Sequence, residues 1–446
     1  MNKDEAQKLL EANGQGHVLR FWDALSEESR AALLAQIGTL DFAAITRMQG
    51  ILKQAGTPAA AAGAFEPAAV DIPQGEDLAA NIAKGEELLR AGKVAVLLVA
   101  GGQGSRLGYD GPKGAYPIGP VTDRSLFWFH ARKILGLDRT YNTHVPFYVM
   151  TSESNNAATV AHFEENDYFG LPREDVFFFV QGMWPALTPD GKIILDRPDH
   201  IFMSPDGHGG TLAALDRSGA LADMERRGTE QVFFFQVDNP MVDIAEPSFV
   251  GFNANKGSDM TVKVCLKRDG REGMGVVVKR DGHFAMVEYS ELTPEQMDRT
   301  MPDGSLWLAY GSPAIHMFSF AFLKAEANRP MPLHLAHKKI AMVNDAGETV
   351  KPDAPNGYKF EKFIFDVLPN AKTLTNLAFD RTQEFSPVKN AEGNDSPATT
   401  KRDLQAKWRK WMNAAGIVAP EGMPVEIDPA YALNAAQLKA KGLLIG

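Results

Sequence analysis

The sequence has almost no cysteine, no surplus of positive charge and no long apolar run, and each absence excludes a class of protein. Cys265 is the single cysteine among 446 residues, so neither a disulfide framework nor a cysteine-built zinc site can form within the chain. The 46 lysines and arginines are outnumbered by 56 aspartates and glutamates, giving a net charge of −10. This balance argues against a general nucleic-acid binder, which needs surplus cations to displace counterions. The apolar run Val94–Ala100 is far too short to cross a bilayer. The charged first residues lead into no apolar signal segment, so we expect a cytoplasmic protein.

Short apolar runs that alternate with helical patterns predict an α/β fold. Runs of strand length occur at Val94–Val99, Phe147–Met150, Val176–Val180 and Val232–Val237. Such runs suit strands that are buried on both faces of a sheet. The segments between them include helical patterns at Ser125–Leu135 and Asn155–Asn166. We therefore expect a Rossmann-like, doubly wound core with a mixed, mostly parallel sheet.

The flanking segments carry clear signals for helices and turns. The chain begins with helical patterns, one of them preceded by Ser26 as a candidate N-cap. The stretch Thr57–Pro73 is rich in Pro and Ala and predicts a linker or an irregular wrap. Asp281-Gly282 indicates a turn between strands, and Thr293 opens a capping-box pattern. A last helix is predicted over Asp403–Ala414, near the end of the chain.

The most informative segment is a glycine loop that directly follows the first apolar run. It extends from Gly101 to Gly108 and lets backbone N–H groups approach a phosphate closely. No Gly-Lys-Ser/Thr closes it, so it is not a Walker A loop, and Leu107 occupies the third glycine position of a dinucleotide fingerprint. Arg106 and Lys113 supply two cations beside the loop, and both side chains suit phosphate oxygens. The alternative is a tight turn with solvated cations.

The loop and a series of further motifs resemble the eukaryotic-type UTP-dependent sugar-1-phosphate uridylyltransferases. This group includes the UDP-N-acetylglucosamine, UDP-glucose and UDP-sugar pyrophosphorylases. The further motifs, in chain order, are Gly14–Leu19, Met150–Ser154, Gln181–Met183, Ser204–Gly210, Val237–Asn239, Val287–Glu291, Lys338–Ile340, Lys359–Asp366 and Glu384–Asn390. The resemblance implies a helical N-terminal region over 1–90, a nucleotidyltransferase domain over 91–392 and a small C-terminal region over 393–446.

The resemblance also implies the reaction and its participants. UTP and a sugar 1-phosphate would give a UDP-sugar and pyrophosphate, with Mg²⁺ as cofactor. The sugar phosphate would attack the α-phosphorus in line, so catalysis would consist of positioning and charge neutralisation. We expect small-molecule partners only, with no nucleic acid and no membrane, and a monomer or weak homo-oligomer.

Individual roles follow from the resemblance, residue by residue. The catalytic cations would be Arg106, Lys113, Lys359 and Lys389. The nucleotide would be held by Gly101, Gly102, Gly104, Gln181 and Gly207. The sugar would contact His208, Asn239, Gly275, Glu288 and Ser312. Asp238 follows a buried run, where α/β sheets bind ligands, and would hold the metal; the alternative is a turn or capping carboxylate.

Two positions in the sugar half depart from the N-acetylglucosamine enzymes. His208 and Ser312 stand where those enzymes usually have asparagine. We therefore expect a slight preference for glucose 1-phosphate, with N-acetylglucosamine 1-phosphate as the alternative. A glycosyltransferase that consumes a UDP-sugar is disfavoured because no second aspartate follows Asp238. A catalytically silent UDP-sugar-binding protein remains the alternative from another class, and the phosphate-binding cations argue against it.

Overall fold

The computed structural model describes residues 1–54 and 64–442, and all that follows concerns these residues. The α-helices are α1 (Lys3–Ala12), α2 (Glu27–Gly38), α3 (Phe42–Gln54), α4 (Gly75–Arg90), α5 (Leu126–Tyr141), α6 (Asn156–Glu165), α7 (Thr211–Arg217), α8 (Ala220–Arg226), α9 (Pro247–Lys256), α10 (Pro294–Asp298), α11 (Phe320–Glu326), α12 (Arg381–Glu384), α13 (Pro397–Ala414) and α14 (Ala435–Lys441).

The β-strands are β1 (Phe65–Pro67), β2 (Val94–Val99), β3 (Phe147–Thr151), β4 (Val176–Val180), β5 (Met183–Pro185), β6 (Leu195–Arg197), β7 (His200–Ile201), β8 (Met203–Pro205), β9 (Gln231–Gln236), β10 (Met260–Leu266), β11 (Val276–Arg280), β12 (His283–Val287), β13 (Tyr310–Gly311), β14 (His316–Ser319), β15 (His334–Lys338), β16 (Met342–Val343), β17 (Thr349–Val350), β18 (Gly357–Glu361) and β19 (Leu374–Ala378). None of the helices in the described ranges has the length and apolar character that a membrane span requires.

The chain forms two compact units. The first consists of Met1–Ala62, Gly182–Gly210 and Pro330–Asp366, and the second of Gly63–Gln181, Thr211–Arg329 and Val367–Gly446. Each unit gathers several stretches of sequence, whereas the segments 1–90, 91–392 and 393–446 are continuous, and their boundaries stay a prediction. Part of the predicted linker, residues 57–63, lies outside the described residues.

The first unit combines helices α1 to α3 with four antiparallel strand pairs. The pairs are β5–β8, β6–β7, β15–β18 and β16–β17. Its apolar core includes Leu10, Leu33 and Ile45 from the helices and Phe360 from β18, all buried. The capping role of Ser26 is confirmed, since its Oγ accepts a hydrogen bond from the Ser29 N–H at 3.2 Å.

The second unit contains the expected mixed sheet. Its strand order is β13-β10-β14-β9-β2-β3-β4, with β19 paired to β10. Strands β9, β2, β3 and β4 are mutually parallel, whereas β14 is antiparallel to both β9 and β10. The fold class is thereby confirmed. Strand β9 begins at the polar Gln231 rather than at Val232, because Gln231 pairs with Val94 of β2 and Ser319 of β14, while its amide oxygen accepts a hydrogen bond from buried Asn253 at 2.7 Å.

Three local signals outside the main sheet are also borne out. Strands β11 and β12 form a hairpin whose turn residues Asp281 and Gly282 have φ of 51° and 81°, as an Asp-Gly hairpin turn requires. The Thr293 hydroxyl accepts from the Gln296 N–H, and the Gln296 amide oxygen accepts from the Thr293 N–H in return. Helix α13 begins at Pro397 rather than Asp403, because Ser396 caps it and proline suits the first helical position.

Candidate functional site

The glycine loop leaves the end of β2 and folds back upon itself. The Gly104 N–H donates to the Gly111 carbonyl at 2.9 Å, and the Lys113 N–H donates to the Gly102 carbonyl at 3.0 Å. Gly104 is required by close packing, since a Cβ there would lie 2.8 Å from the Tyr109 ring. Gly102 and Arg106 remain exposed. The loop therefore holds a defined shape while presenting backbone and a guanidinium to solvent, as phosphate binding needs.

The side chain of Asn155 braces this loop from a neighbouring segment. Its Nδ2 donates to the carbonyls of Ala100 at 2.9 Å and Gly102 at 3.2 Å. Its Oδ1 accepts from the Ser152 N–H at 2.8 Å. Sequence reasoning missed this residue, although it directly follows the motif Met150–Ser154. A polar side chain immediately after a strand and a recognised motif was the available signal.

Gln181 lies next to the first glycine of the loop, as its expected nucleotide role requires. It follows β4, and its N–H donates to the Thr151 carbonyl at 2.9 Å. Its side chain is buried, and a Cβ added to Gly101 would lie 2.8 Å from the Gln181 Nε2. An amide both donates and accepts, so it can read the imide edge of a pyrimidine base.

Lys113 and Asp238 form a partly buried ion pair. The Lys113 Nζ lies 3.4 Å from the Asp238 Oδ2, with side-chain exposures of 18% and 14%. The two residues meet because β2 and β9 are adjacent parallel strands whose carboxyl ends share one edge of the sheet. The Asp238 carbonyl also accepts from the Val388 N–H at 2.8 Å. The following residue, Lys389, is exposed, and its Nζ lies 5.9 Å from the centre of the Phe385 ring.

Asp238 is one candidate ligand for a divalent cation, and a carboxylate cluster in the second unit is another. Asp243, Glu246 and Glu384 bring oxygens within 4.8 Å of one another. However, the Lys263 ammonium contacts both glutamates, and the Lys407 ammonium contacts Asp243. That cluster is therefore already charge-compensated. Among the described residues, Asp238 has a single lysine partner, Lys113, so a cation that takes one carboxylate and completes its shell with phosphate oxygens and water would fit there, and this role stays a prediction.

Three of the residues expected at the sugar come together in the second unit. The Ser312 N–H donates to the Gly275 carbonyl at 2.8 Å. A Cβ on Gly275 would lie 2.9 Å from the Glu288 Oε1, so the missing side chain leaves room for that carboxylate. Asn239 is buried and directs its amide at backbone, donating to the Glu384 carbonyl at 2.7 Å and accepting from the Ser386 N–H at 3.2 Å. Its sugar-binding role stays a prediction.

The first unit carries the remaining expected residues, Gly207, His208 and Lys359. Gly207 has φ of +82°, and a Cβ there would lie 2.4 Å from the Lys362 carbonyl oxygen, so the position requires glycine. The His208 Nδ1 accepts from the Ile364 N–H at 3.1 Å. Burial lowers the pKa of His208 to about 4, so the ring is neutral and carries its proton on Nε2. Burial likewise lowers the pKa of Lys359.

Comparison with known proteins decides the family. The family model described as UTP–glucose-1-phosphate uridylyltransferase matches residues 51–395. The chain belongs to this uridylyltransferase family. Its membership confirms the resemblance seen in the sequence, and the protein is a nucleotidyltransferase.

Relatives of this uridylyltransferase match it over nearly its whole length. It is 39% identical over 437 residues to the Homo sapiens UDP-N-acetylhexosamine pyrophosphorylase-like protein 1, covering 93% of this chain and 86% of the relative. It is 33% identical to the Saccharomyces cerevisiae UDP-N-acetylglucosamine pyrophosphorylase, covering 98% and 97%. The solved Trypanosoma brucei uridine diphosphate N-acetylglucosamine pyrophosphorylase has a TM-score of 0.84 at 27% identity, covering 99% of this chain and 95% of that one.

Proposed function

We propose that this uridylyltransferase transfers the uridylyl group of UTP to an N-acetylhexosamine 1-phosphate, with N-acetylglucosamine 1-phosphate as its main substrate. The observation that carries the proposal is the near full-length match to a yeast protein named for UDP-N-acetylglucosamine. This favours the alternative that the sequence offered over the slight preference for glucose 1-phosphate. The N-acetylated product differs from UDP-glucose only at the 2-position of the sugar.

The two departures in the sugar half are compatible with this substrate. His208 is neutral and carries a proton on Nε2, so it remains a hydrogen-bond donor as an asparagine amide is. Ser312 keeps a hydroxyl that both donates and accepts. Both positions therefore keep hydrogen-bonding capacity, and neither substitution by itself excludes an acetamido group.

The proposed mechanism assigns charge neutralisation to the glycine loop of the second unit and the two cations beside it. The exposed glycine backbone and Arg106 bind the triphosphate, and Lys113 neutralises the charge that gathers on it during transfer. A sugar phosphate oxygen forms a bond to the α-phosphorus as the bond from that phosphorus to the β-phosphate oxygen breaks, and pyrophosphate leaves with the electron pair. The ionised oxygen of the sugar phosphate is itself the nucleophile, so the proposed step needs neither a general base nor an enzyme nucleophile. Mg²⁺, held by Asp238, would supply further charge neutralisation at the phosphates.

The other assignments follow the same resemblance. Gln181 reads the uracil, and Gly275, Glu288 and Ser312 receive the sugar. Lys389 supplies positive charge to the phosphates in the second unit, whereas the roles expected of Lys359 and Gly207, which belong to the first unit, stay predictions. Burial lowers the pKa of Lys359 because it disfavours the charged ammonium, and a phosphate bound beside it would stabilise that charge.

The first test measures pyrophosphate release from UTP and Mg²⁺ with a panel of sugar 1-phosphates. We expect kcat/KM for N-acetylglucosamine 1-phosphate to exceed that for glucose 1-phosphate by about 10-fold or more, since a polar site that pairs with the acetamido group loses those bonds with glucose. A preference for glucose 1-phosphate would overturn the substrate assignment. It would support the expectation from the sequence that His208 and Ser312 favour glucose 1-phosphate.

A variant of the lysine beside the glycine loop distinguishes an enzyme from a catalytically silent UDP-sugar-binding protein. We expect Lys113→Ala to lower kcat by about 100-fold or more while binding of the UDP-sugar persists, because the lysine acts on the transferring phosphates. Lys84→Ala removes a half-buried lysine of α4 that pairs with Glu87, and it serves as the control that should retain activity. Tight UDP-sugar binding by the unmodified protein without turnover on any sugar phosphate would support the binding protein instead.

A further inference from the structure

The segment that carries Asp238 has no helix or strand of its own. We call Val237–Asp243, which follows β9, the Asp238 loop. Its backbone pairs with other segments at Val237, whose N–H donates to the Val99 carbonyl, and at Asp238, whose carbonyl accepts from the Val388 N–H. The Asp238 carboxylate must in addition hold its place beside Lys113 for the proposed reaction. Positioning of a reacting group to within about 0.5 Å requires support from rigid neighbouring elements.

Buried side chains of two helices donate to the carbonyls of this loop. The His130 Nε2 of α5 lies 2.9 Å from the Val237 carbonyl oxygen, directly before Asp238. The Lys133 Nζ, one turn further along α5, donates to the carbonyls of Pro240 and Val242. The contacts therefore lie on both sides of Asp238.

Helix α13 contributes a third donor. The Lys407 Nζ donates to the Met241 carbonyl at 3.1 Å and contacts the Asp243 carboxylate. Helix α5 itself is firmly anchored, because Leu126, Phe127 and Phe129 in its first turn are fully buried in the main core. The loop is thus tied to a rigid element.

Burying these polar donors has a desolvation cost in free energy, which indicates that they have a specific role. His130 is 0% exposed, Lys133 9% and Lys407 4%. An apolar residue of similar size would fill the same space without the desolvation cost of an ammonium group. Burial lowers the pKa of His130 to about 3, so the ring is neutral, and its carbonyl partner places the proton on Nε2. Polar groups kept in a core at such cost are suited to fixing one conformation.

We propose that His130 and Lys133 are positioning residues for the nucleotidyl transfer, which hold the Asp238 loop so that the Asp238 carboxylate meets the metal and the phosphates in one geometry. The inference rests on the proposed function of Asp238. Neither side chain touches substrate in this assignment; both act through the backbone on either side of Asp238.

The test compares variants that remove or retain the donor. His130→Leu and Lys133→Met keep an apolar body of similar size and lose the hydrogen bonds, whereas His130→Gln keeps an N–H donor. In the full chain, we expect the first two to lower kcat about 10-fold and to raise the Mg²⁺ concentration at half-maximal activity, with the KM for sugar phosphate near that of the unmodified enzyme. We also expect them to reduce the Mg²⁺-dependent rise in Tm of the UTP-bound protein, which is measured without turnover. His130→Gln should have a kcat and an Mg²⁺ dependence close to those of the unmodified enzyme, because it keeps an N–H donor that His130→Leu lacks.

Ile134→Ala on the same helix is the matched control for lost stability. Ile134 is fully buried and has no polar contact with the loop, so this variant should lower Tm while the Mg²⁺ dependence stays unchanged. If His130→Leu does not fold, Lys133→Met and His130→Gln carry the test with the same readouts.

Asp238→Asn distinguishes failure of the inference from failure of its premise. Loss of activity in Asp238→Asn together with an unchanged kcat and Mg²⁺ dependence in Lys133→Met and His130→Leu would overturn the positioning role alone. Full activity and Mg²⁺ dependence in Asp238→Asn would overturn the role of Asp238, and the positioning role with it.

Discussion

The carboxyl of Asp138 on α5 couples the stability of this fold to pH. Its Oδ1 accepts from the Val145 N–H at 2.8 Å, while its buried Oδ2 has no hydrogen-bond partner among the described residues. Burial raises the pKa of Asp138 to about 7, with Asp175 adding to the rise while the Val145 N–H and His144 oppose it. The unfolded chain has an ordinary pKa of about 3.9, so deprotonation favours unfolding increasingly as the pH rises from about 4 to 7.

Asp138→Asn should therefore remove a pH-dependent loss of stability. The amide keeps the acceptor for Val145 and cannot ionise. We expect the free energy of unfolding of the variant minus that of the unmodified protein to be larger at pH 8 than at pH 5 by roughly 2 to 3 kcal/mol, so that the variant is relatively more stable at pH 8. Urea unfolding at both pH values measures this difference. An equal difference at pH 5 and pH 8 would mean that the folded carboxyl has an ordinary pKa.

Sequence reasoning at this scale found Lys113 and Asp238 but missed Asn155, His130 and Lys133. The first two lie in motifs at the carboxyl ends of apolar runs, a position that the chain itself reveals. The role of His130 depends on which carbonyl faces it across the packed helix and sheet. A single sequence does not contain that information, because a buried histidine on an apolar helix face is an ordinary core residue without its partner.

At the scale of elements, the start of the glycine loop and the end of β4 should be coupled through Gly101 and Gln181. A methyl group on Gly101 would lie 2.8 Å from the Gln181 Nε2 and would displace the flexible amide, with little effect on folding. We expect Gly101→Ala to raise the KM for UTP by roughly 5-fold, and to add little in a Gln181→Ala background. Steady-state kinetics of both single variants and the double variant test this coupling. Additive effects would show that the two residues act independently.

The elements best predicted from sequence are the buried parallel strands. Strands β2 and β4 have the bounds that their apolar runs suggested, since both consist of apolar residues alone, although β4 is an edge strand and is buried only in part. The hairpins of the first unit were not predicted. Strand β15, His334–Lys338, is half-buried or exposed throughout and forms because it pairs with β18, which is a contact between distant parts of the chain.

At the scale of the whole molecule, the sequence predicted the fold class and the family but not the composition of the two units. The core sheet follows from alternation along the chain, and the family follows from motifs in a fixed order. The first unit, in contrast, assembles three separate stretches. Side-chain packing between those stretches determines which of them form one unit, and local sequence patterns do not reveal that packing.

Ligand-dependent stability tests the assignment of the second unit as the nucleotide-binding part. The glycine loop, Lys113, Asp238 and Gln181 all belong to it, so UTP should stabilise the folded chain by about 2.7 kcal/mol at a concentration 100 times its Kd. We expect UTP to raise Tm by a few degrees and Mg²⁺ to add a further increment that EDTA removes. Asp238→Asn should keep the effect of UTP and lose the Mg²⁺ increment. The control Asp110→Asn, which changes an exposed carboxylate two residues beyond the glycine loop, should keep both effects. Differential scanning calorimetry measures these shifts, and a full Mg²⁺ increment in Asp238→Asn would place the metal on other ligands.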